Sequence, residues 1–171
     1  VAKVRSNPAA REIRTGFPLC FVRCLKPICR EPSFMENTLA IIKPDAVGRK
    51  LTGRIIDRIE GAGFRIRALR LLRLTRAEAE GFYAVHRDRP FFAGLTEFMS
   101  SGPCAAMILE KEDAIAAWRR LMGATNPEEA EEGALRKEFA ENIERNCVHG
   151  SDAPETAAFE TAYFFRALDK V

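Results

Sequence analysis

The sequence predicts an α+β sandwich in which an antiparallel sheet carries helices on one face, in the βαββαβ order of ferredoxin-like folds. Two observations lead to this prediction. From Met35 onward, short apolar runs that suit strands alternate with stretches in which apolar residues recur at helical spacing. The chain of 171 residues is 47% hydrophobic and 30% charged, a composition that is ordinary for a globular domain with a core of its own.

The first half of the pattern is strand, helix, strand. Residues 38–42 form an apolar run that suits a buried strand, and Lys43-Pro44-Asp45 ends it. The isoleucines between 51 and 61 follow helical spacing as far as the Gly-Ala-Gly stretch at 61–63. Residues 64–68 then alternate as in a half-buried strand and continue into an apolar run up to Leu74.

The second half repeats strands and helices before a long loop. Thr75-Arg76-Ala77-Glu78 is a capping box that predicts a helix through Tyr83, and a second short helix ends at Met99. Residues 105–109 suit a third strand, and residues 113–122 suit a helix that Gly123 ends. The loop-rich segment 124–142 leads to a last short element near the C-terminus.

Residues 1–34 are predicted to form a basic, disordered N-terminal extension to a folded domain of residues 35–171. This segment contains four prolines, no sustained periodicity, and seven basic against two acidic residues. One interpretation is a start site assigned too far upstream, with Met35 as the true initiator. The alternatives are a transit-type or electrostatic extension, since the segment is arginine-rich and poor in acids, or a tail without a role.

Several functional classes are disfavoured by composition. The net charge of +3 is uneven, because residues 35–171 alone carry −2, so the domain offers no case for specific nucleic-acid binding. No run of 18 apolar residues exists, which excludes a membrane-spanning helix. The five cysteines are irregularly spaced and indicate neither a disulfide framework nor a zinc site, so we expect a reduced, cytoplasmic protein.

The most informative stretch is Asn146-Cys147-Val148-His149-Gly150-Ser151-Asp152, which holds one of only two histidines. Imidazole suits nucleophilic and acid–base chemistry near neutral pH. The residues after it open a helix, and a helix N-terminus favours anions. A lone histidine is more often structural, so the interpretation of His149 as a nucleophile depends on the residues upstream.

Four further groups of chemically useful residues precede this stretch. Lys43 lies where a predicted strand ends, and Tyr83 is followed by Arg89-Pro90-Phe91-Phe92. Arg119 lies in the last turn of the predicted helix 113–122, and Thr125 follows in the loop. Leu135-Arg136-Lys137-Glu138-Phe139 adds another basic site.

In this order, the five groups closely resemble the nucleoside diphosphate kinase family, from about Met35 to Phe165. Asn-x-x-His-Gly-Ser-Asp is the most specific of the motifs. The resemblance implies transfer of the γ-phosphate of a nucleoside triphosphate, typically ATP, to a nucleoside diphosphate in a ping-pong cycle. In such a cycle a covalent intermediate divides the overall transfer into two steps.

The resemblance also implies three catalytic residues. His149 would take the phosphoryl group, Glu160 would hold the opposite ring nitrogen, and Tyr83 would offer its hydroxyl near the phosphate and the imidazole. Two alternatives stay open at this point. Glu160 would otherwise be a solvated helix residue, and His149 a core histidine.

The phosphates are expected to be bound by positive charge. The resemblance implies that Arg119, Arg136 and Lys43 neutralise them together with Mg²⁺, which the nucleotide phosphates themselves mainly hold. No protein side chain is therefore named as a metal ligand. Thr125 would add a hydroxyl to a phosphate oxygen, whereas Arg120 is expected to be a solvated surface charge.

The rest of the nucleotide is expected to make few specific contacts. Asn146, with Lys43, would contact the sugar hydroxyls, and the base would stack on an exposed Phe91 while Phe92 joins the core. Stacking tolerates every base, because each has a π-face. Leu95, one helical turn after Phe91, would press on the other side of the base.

The family implies a homo-oligomer, a hexamer or a tetramer. One departure bears on it: a Pro-Gly-Thr-Ile-Arg-Gly-Asp-Phe stretch that is common in the family reads Glu-Gly-Ala-Leu-Arg-Lys-Glu-Phe at 132–139, so this loop is expected to be looser. Two alternative functions remain. One is a histidine phosphocarrier or regulatory binding module without nucleotide exchange, and the other is nucleic-acid binding through residues 1–34.

Overall fold

The computed structural model describes residues 35–171, and the predicted extension 1–34 lies outside the described residues. Within this part of the chain, four strands form one sheet in the order β2-β3-β1-β4, in which every neighbouring pair is antiparallel. The strands are β1 (Met35–Ile42), β2 (Arg65–Arg73), β3 (Pro103–Glu112) and β4 (Val148–Gly150). The predicted antiparallel α+β sandwich is confirmed.

Six α-helices of the described residues lie between these strands and a seventh follows β4: α1 (Pro44–Gly48), α2 (Thr52–Gly61), α3 (Arg76–Phe82), α4 (Phe92–Ser100), α5 (Ala114–Met122), α6 (Leu135–Phe139) and α7 (Pro154–Phe164). The predicted capping box is present at the start of α3, where the Thr75 hydroxyl accepts from the Glu78 amide at 3.2 Å. Gly123 ends α5 with a φ of +80°, a left-handed conformation that glycine adopts without strain.

Helices cover both faces of the sheet, whereas the sequence led us to expect them on one. Helices α2 and α5 pack on the face formed by Ala40 and Ile42, as the βαββαβ order requires. Helices α3, α4 and α7 cover the opposite face, against Leu39 and Ile41. The cause is visible in β1 itself, because an unbroken apolar run places hydrophobic side chains on both faces and both must be buried.

Two features of this fold position the residues of interest. The short strand β4 pairs with the C-terminal end of β1, with His149 opposite Ile41, so the histidine is attached to a fully buried part of the sheet. The predicted loop 124–142 contains α6, a helix that the sequence pattern did not indicate.

No helix in residues 35–171 is both long and apolar enough to cross a membrane.

Candidate active site

All nine residues predicted to form a site line one cavity of about 770 Å³. They come from five separate parts of the chain, and the antiparallel sheet brings them together at one end of β1 and β4. The nine residues are Lys43, Tyr83, Phe91, Arg119, Thr125, Arg136, Asn146, His149 and Glu160.

His149 is held at the centre of this cavity by its backbone. Its carbonyl accepts a hydrogen bond from the Trp118 indole Nε1 at 3.2 Å. The next residue, Gly150, lies so close to the Trp118 ring that an added Cβ would stand 2.3 Å from two of the ring atoms. Glycine is therefore required after the histidine, because it lets β4 approach the buried indole.

The imidazole belongs to a three-residue hydrogen-bonded chain. His149 Nε2 lies 3.0 Å from Glu160 Oε1, and the Ser151 hydroxyl donates to Glu160 Oε2 at 2.6 Å. The side chains of His149 and Glu160 are only 21% and 14% exposed. The alternative of a solvated Glu160 is wrong, because α7 begins a few residues after the histidine and carries Glu160 back over it.

Tyr83 closes the inner wall beside the histidine. Its ring centroid lies 5.9 Å from that of His149, edge to face. The phenol is buried, and its hydroxyl makes no hydrogen bond with any group in residues 35–171. Burial, followed by the negative charge of Glu160, raises the pKa of Tyr83, so the phenol stays protonated and remains a donor.

Lys43 and Asn146 form a buried pair on another wall. The Lys43 ammonium donates to Asn146 Oδ1 at 2.6 Å, and Asn146 in turn donates to the Ile143 carbonyl at 3.0 Å. Burial, assisted by the nearby charge of Arg136, lowers the pKa of Lys43 to about 8. The lysine is therefore mainly charged at neutral pH and loses its charge under mildly alkaline conditions.

Arg136 is a second buried cation of the site, beside Lys43. Its terminal nitrogens donate to the carbonyls of Gly123 at 2.9 Å and Val148 at 3.1 Å. Its Nε is buried and makes no hydrogen bond with the described residues. Burial lowers the pKa of Arg136, although arginine remains charged throughout the physiological range. A fixed guanidinium with spare donor capacity suits an anionic ligand.

The segment that carries Arg136 is well anchored despite its departure from the family pattern. Leu135 and Phe139 of α6 are buried in the core. Glu138 pairs with Arg54 at 2.8 Å and with Arg58 at 2.5 Å, both from α2. These contacts fasten the outer side of the loop that was expected to be looser.

Arg119, Arg120 and Thr125 are exposed and line the cavity mouth. Arg119 and Arg120 occupy the last turn of α5, as predicted, and Thr125 lies two residues after its C-cap glycine. Arg120 was expected to be a solvated surface charge. It is exposed, but it also borders the cavity.

The two adjacent phenylalanines, Phe91 and Phe92, have different surroundings. Phe91 is 54% exposed and lines the cavity, whereas Phe92 packs against the core together with Leu95. Leu95 also reaches the cavity wall. An exposed aromatic face beside a polar cavity can stack on a planar ring.

The sequence interpretation missed Ser151 and His86. Ser151 was taken only as a helix-opening residue, yet its hydroxyl orients Glu160. His86 was given no role, yet it lines the cavity, with its ring centroid 5.7 Å from that of Phe91. Its position one helical turn after Tyr83 was the signal that could have placed it on this wall.

Acidic side chains also border the cavity, although none of them forms a metal cluster. Residues 35–171 hold no group of three or more His, Cys, Asp or Glu side chains that could bind an ion. Glu129, Glu131 and Asp152 line the wall singly. The Thr156 hydroxyl donates to Asp152 and lowers its pKa, so Asp152 is a carboxylate at neutral pH.

Comparison with known proteins gives one consistent family. The family model for nucleoside diphosphate kinase matches residues 36–169. The chain is similar to the nucleoside diphosphate kinase of Geotalea uraniireducens, with 61% identity over 137 residues that cover 80% of this chain and all of the relative. It is 62% identical to that of Trichlorobacter lovleyi over 80% of this chain and 99% of the relative.

Solved structures agree with the sequence comparisons. The Aquifex aeolicus nucleoside diphosphate kinase superimposes with a TM-score of 0.80 at 45% identity, over 81% of this chain and all of that one. The Halobacterium salinarum nucleoside diphosphate kinase, in complex with CDP, gives a TM-score of 0.78 at 37% identity, over 81% of this chain and 92% of that one.

Proposed function

The chain belongs to the nucleoside diphosphate kinase family, an enzyme family that transfers a γ-phosphate from a nucleoside triphosphate to a nucleoside diphosphate, and we propose that His149 carries the phosphoryl group between the two half-reactions. The observation that supports this most directly is the Ser151–Glu160–His149 chain, which faces a cavity lined by Lys43, Arg119 and Arg136.

The hydrogen bond at Nε2 decides which nitrogen reacts. Because a carboxylate oxygen can only accept, Nε2 would carry the ring proton and donate a hydrogen bond to Glu160 Oε1, which leaves the lone pair of the ring on Nδ1. In the first half-reaction an Nδ1–phosphorus bond forms as the bond between the γ-phosphorus and its bridging oxygen breaks, and the nucleoside diphosphate leaves. In the second, a terminal phosphate oxygen of the acceptor diphosphate attacks the same phosphorus, and the Nδ1–phosphorus bond breaks.

The cationic wall supplies the electrostatic part of catalysis. Phosphoryl transfer depends mainly on positioning and on stabilising charge on the transferred group. Arg136, held by two backbone carbonyls, and Arg119 at the cavity mouth would bind phosphate oxygens in a bidentate manner. Thr125 would donate its hydroxyl to a phosphate. Tyr83, a protonated donor beside the imidazole, would contact the transferred group.

We propose that Mg²⁺ is the cofactor and arrives on the nucleotide. Mg²⁺ in kinase sites takes one or two carboxylates together with substrate phosphates and water. Asp152, an ionised carboxylate on the cavity wall, fits this pattern, whereas a three-ligand protein site does not exist in residues 35–171. When bound, the ion would neutralise phosphate charge.

The remaining walls would hold the nucleoside. The Lys43–Asn146 pair presents an ammonium and an amide to the sugar hydroxyls, and Phe91 offers its exposed face to the base. Because stacking is tolerant of base identity, this arrangement supports broad use of purine and pyrimidine nucleotides.

Assembly and location are also proposals. Leu69 and Leu71 are exposed on β2, one of the two edge strands of the sheet, and an apolar edge strand favours association with a second copy. We therefore propose a homo-oligomer, a hexamer or a tetramer as in the family. Within residues 35–171, Cys104 and Cys147 are free and buried, which fits a reducing compartment such as the cytoplasm.

Two incubations test the proposed function. The chain with labelled ATP and no acceptor should form an acid-labile phosphoprotein, and addition of GDP should convert the label to GTP. Phosphoprotein without GTP would instead indicate the histidine phosphocarrier. His149→Ala should form neither product, whereas His86→Ala, which removes the other imidazole, should still become phosphorylated. Exchange that persisted in His149→Ala would overturn the proposal.

A further inference from the structure

An unusual backbone turn lies between Asn146 and strand β4. Cys147, which is fully buried, has a φ of +60°. A residue with a Cβ rarely adopts this left-handed conformation, because the Cβ then crowds the backbone. Something in the surrounding structure must hold Cys147 there.

The turn is held from both sides by the segment that follows β1. The Cys147 amide donates to Asp45 Oδ2 at 3.0 Å, and the Cys147 carbonyl accepts from the Lys43 amide at 2.9 Å. Asp45 is 8% exposed, and its other oxygen, Oδ1, makes no hydrogen bond within residues 35–171. The Cys147 amide is thus the one group in the described structure to which this buried carboxylate is hydrogen-bonded.

The two sides of the turn depend on this contact to different extents. His149 is held independently by the β1–β4 pairing, by the Trp118 indole and by Glu160. Asn146 directly precedes the turn, and apart from Lys43 its side chain contacts only the Ile143 carbonyl, which lies on the same side of the turn. We therefore expect release of the turn to displace Asn146 relative to Lys43 while the imidazole stays in place.

We propose that Asp45 is a positioning residue for nucleotide binding, because its carboxylate holds the left-handed turn at Cys147 and thereby sets the Lys43–Asn146 pair. This inference rests on the proposed function, since it assigns that pair to the sugar of the nucleotide. The carboxylate also acts by its charge, because it raises the pKa of Lys43 against the opposing effects of burial and Arg136.

Replacement of Asp45 should change binding rather than chemistry. Asp45→Ala removes the acceptor, and loss of one charge-assisted hydrogen bond is expected to raise the KM for GDP about tenfold. The kcat, expressed per site that ATP can phosphorylate, should stay within about twofold of the native value. Asp45→Asn retains an oxygen that can accept from the Cys147 amide, so its KM should rise less than that of Asp45→Ala.

A second substitution separates the turn from a general loss of structure. Glycine adopts positive φ without strain, so Cys147→Gly in the Asp45→Ala background should bring the KM back toward the native value. Cys147→Ala removes the same thiol but keeps the Cβ, and should give no recovery. Both double variants lack the thiol, and Cys147→Gly lacks the buried Cβ as well, so recovery seen only with glycine cannot come from packing and reflects backbone freedom at position 147.

The same variants should be measured by calorimetric titration with ADP, which requires no catalysis. A native chain that binds ADP without exchange would refute the proposed function, while the affinities would still test Asp45. If Asp45→Ala does not fold, recovery of folded protein by Cys147→Gly but not by Cys147→Ala is the expected result. Equal behaviour of the two double variants, or an Asp45→Ala chain with native KM and ADP affinity, would overturn the inference.

Discussion

Gly150, beside the candidate nucleophile, offers a stringent test of the packing around the site. An alanine Cβ there would lie 2.3 Å from Trp118 Cδ1 and Nε1 and 2.8 Å from Met122 Cε. Carbon atoms in contact are normally about 3.5–4.0 Å apart. Because Trp118 and Met122 are buried, the indole cannot move aside without disturbing the core.

Gly150→Ala is expected to lower the free energy of unfolding through two effects. Overpacking of a core costs about 1–3 kcal/mol. Displacement of the indole also weakens its hydrogen bond to the His149 carbonyl, which contributes about 1 kcal/mol. A total of about 2–4 kcal/mol lowers the thermal midpoint of a domain of this size by about 10 °C. Exchange activity should fall as well, because β4 carries His149.

Differential scanning calorimetry of the full chain at fixed concentration measures this effect. Gly53→Ala is the matched control, because an added Cβ there meets nothing within 4 Å and alanine suits the first turn of α2. Its midpoint should be unchanged or slightly raised. If Gly150→Ala matched Gly53→Ala in midpoint and activity, the close approach of β4 to Trp118 would be refuted.

Four further predictions concern binding, catalysis and the N-terminal segment. Phe91→Ala should weaken ATP, GTP and CTP binding by similar factors, because stacking contributes about 1–3 kcal/mol per base whatever its identity; calorimetric affinities that fell for one base alone would contradict this. Glu160→Gln should lower kcat by about 10²-fold or more in the ATP–GDP exchange assay, since the amide can no longer fix the tautomer of His149 as a carboxylate does; a near-native kcat would refute that role. Burial lowers the pKa of Lys43 to about 8, so the lysine loses its charge above that pH and kcat/KM for GDP should fall there. The Lys43→Gln variant should lack this alkaline decline. If its pH profile had the native shape, the decline would belong to another group. A chain shortened to begin at Met35 should keep the exchange rate and thermal midpoint, and a large loss of either would show that residues 1–34 contribute to the fold.

The sequence predicted most of the fold because the relevant signals are local. The apolar run of β1, the capping box at Thr75 and the glycine after α5 each encode an element within a few residues. Helix α6 was missed because its five residues, in a loop-rich segment, show no clear period. The second helical layer was missed because the βαββαβ order accounts only for α2 and α5, whereas the need to cover the other face follows from the unbroken apolar run of β1.

For the site, too, the sequence predicted the residues that belong to local motifs and missed the features that depend on packing. The nine residues were found through family motifs, and the fold brings them to one cavity. The Cys147 turn could not be predicted, because positive φ at a non-glycine residue has no sequence signal and depends on a carboxylate about a hundred residues earlier. The buried hydroxyl of Tyr83 likewise depends on the packing of α3 against the sheet.

Peptide mapping of the phosphoprotein decides whether His149 carries the phosphoryl group. The full chain would be incubated with γ-labelled ATP and Mg²⁺ without acceptor, digested under alkaline conditions that preserve phosphohistidine, and analysed by mass spectrometry. We expect one phosphoryl group per chain on His149, and we expect added GDP to remove it. Label on His86, on a serine or on a lysine, or label on His149 that GDP does not remove, would contradict it.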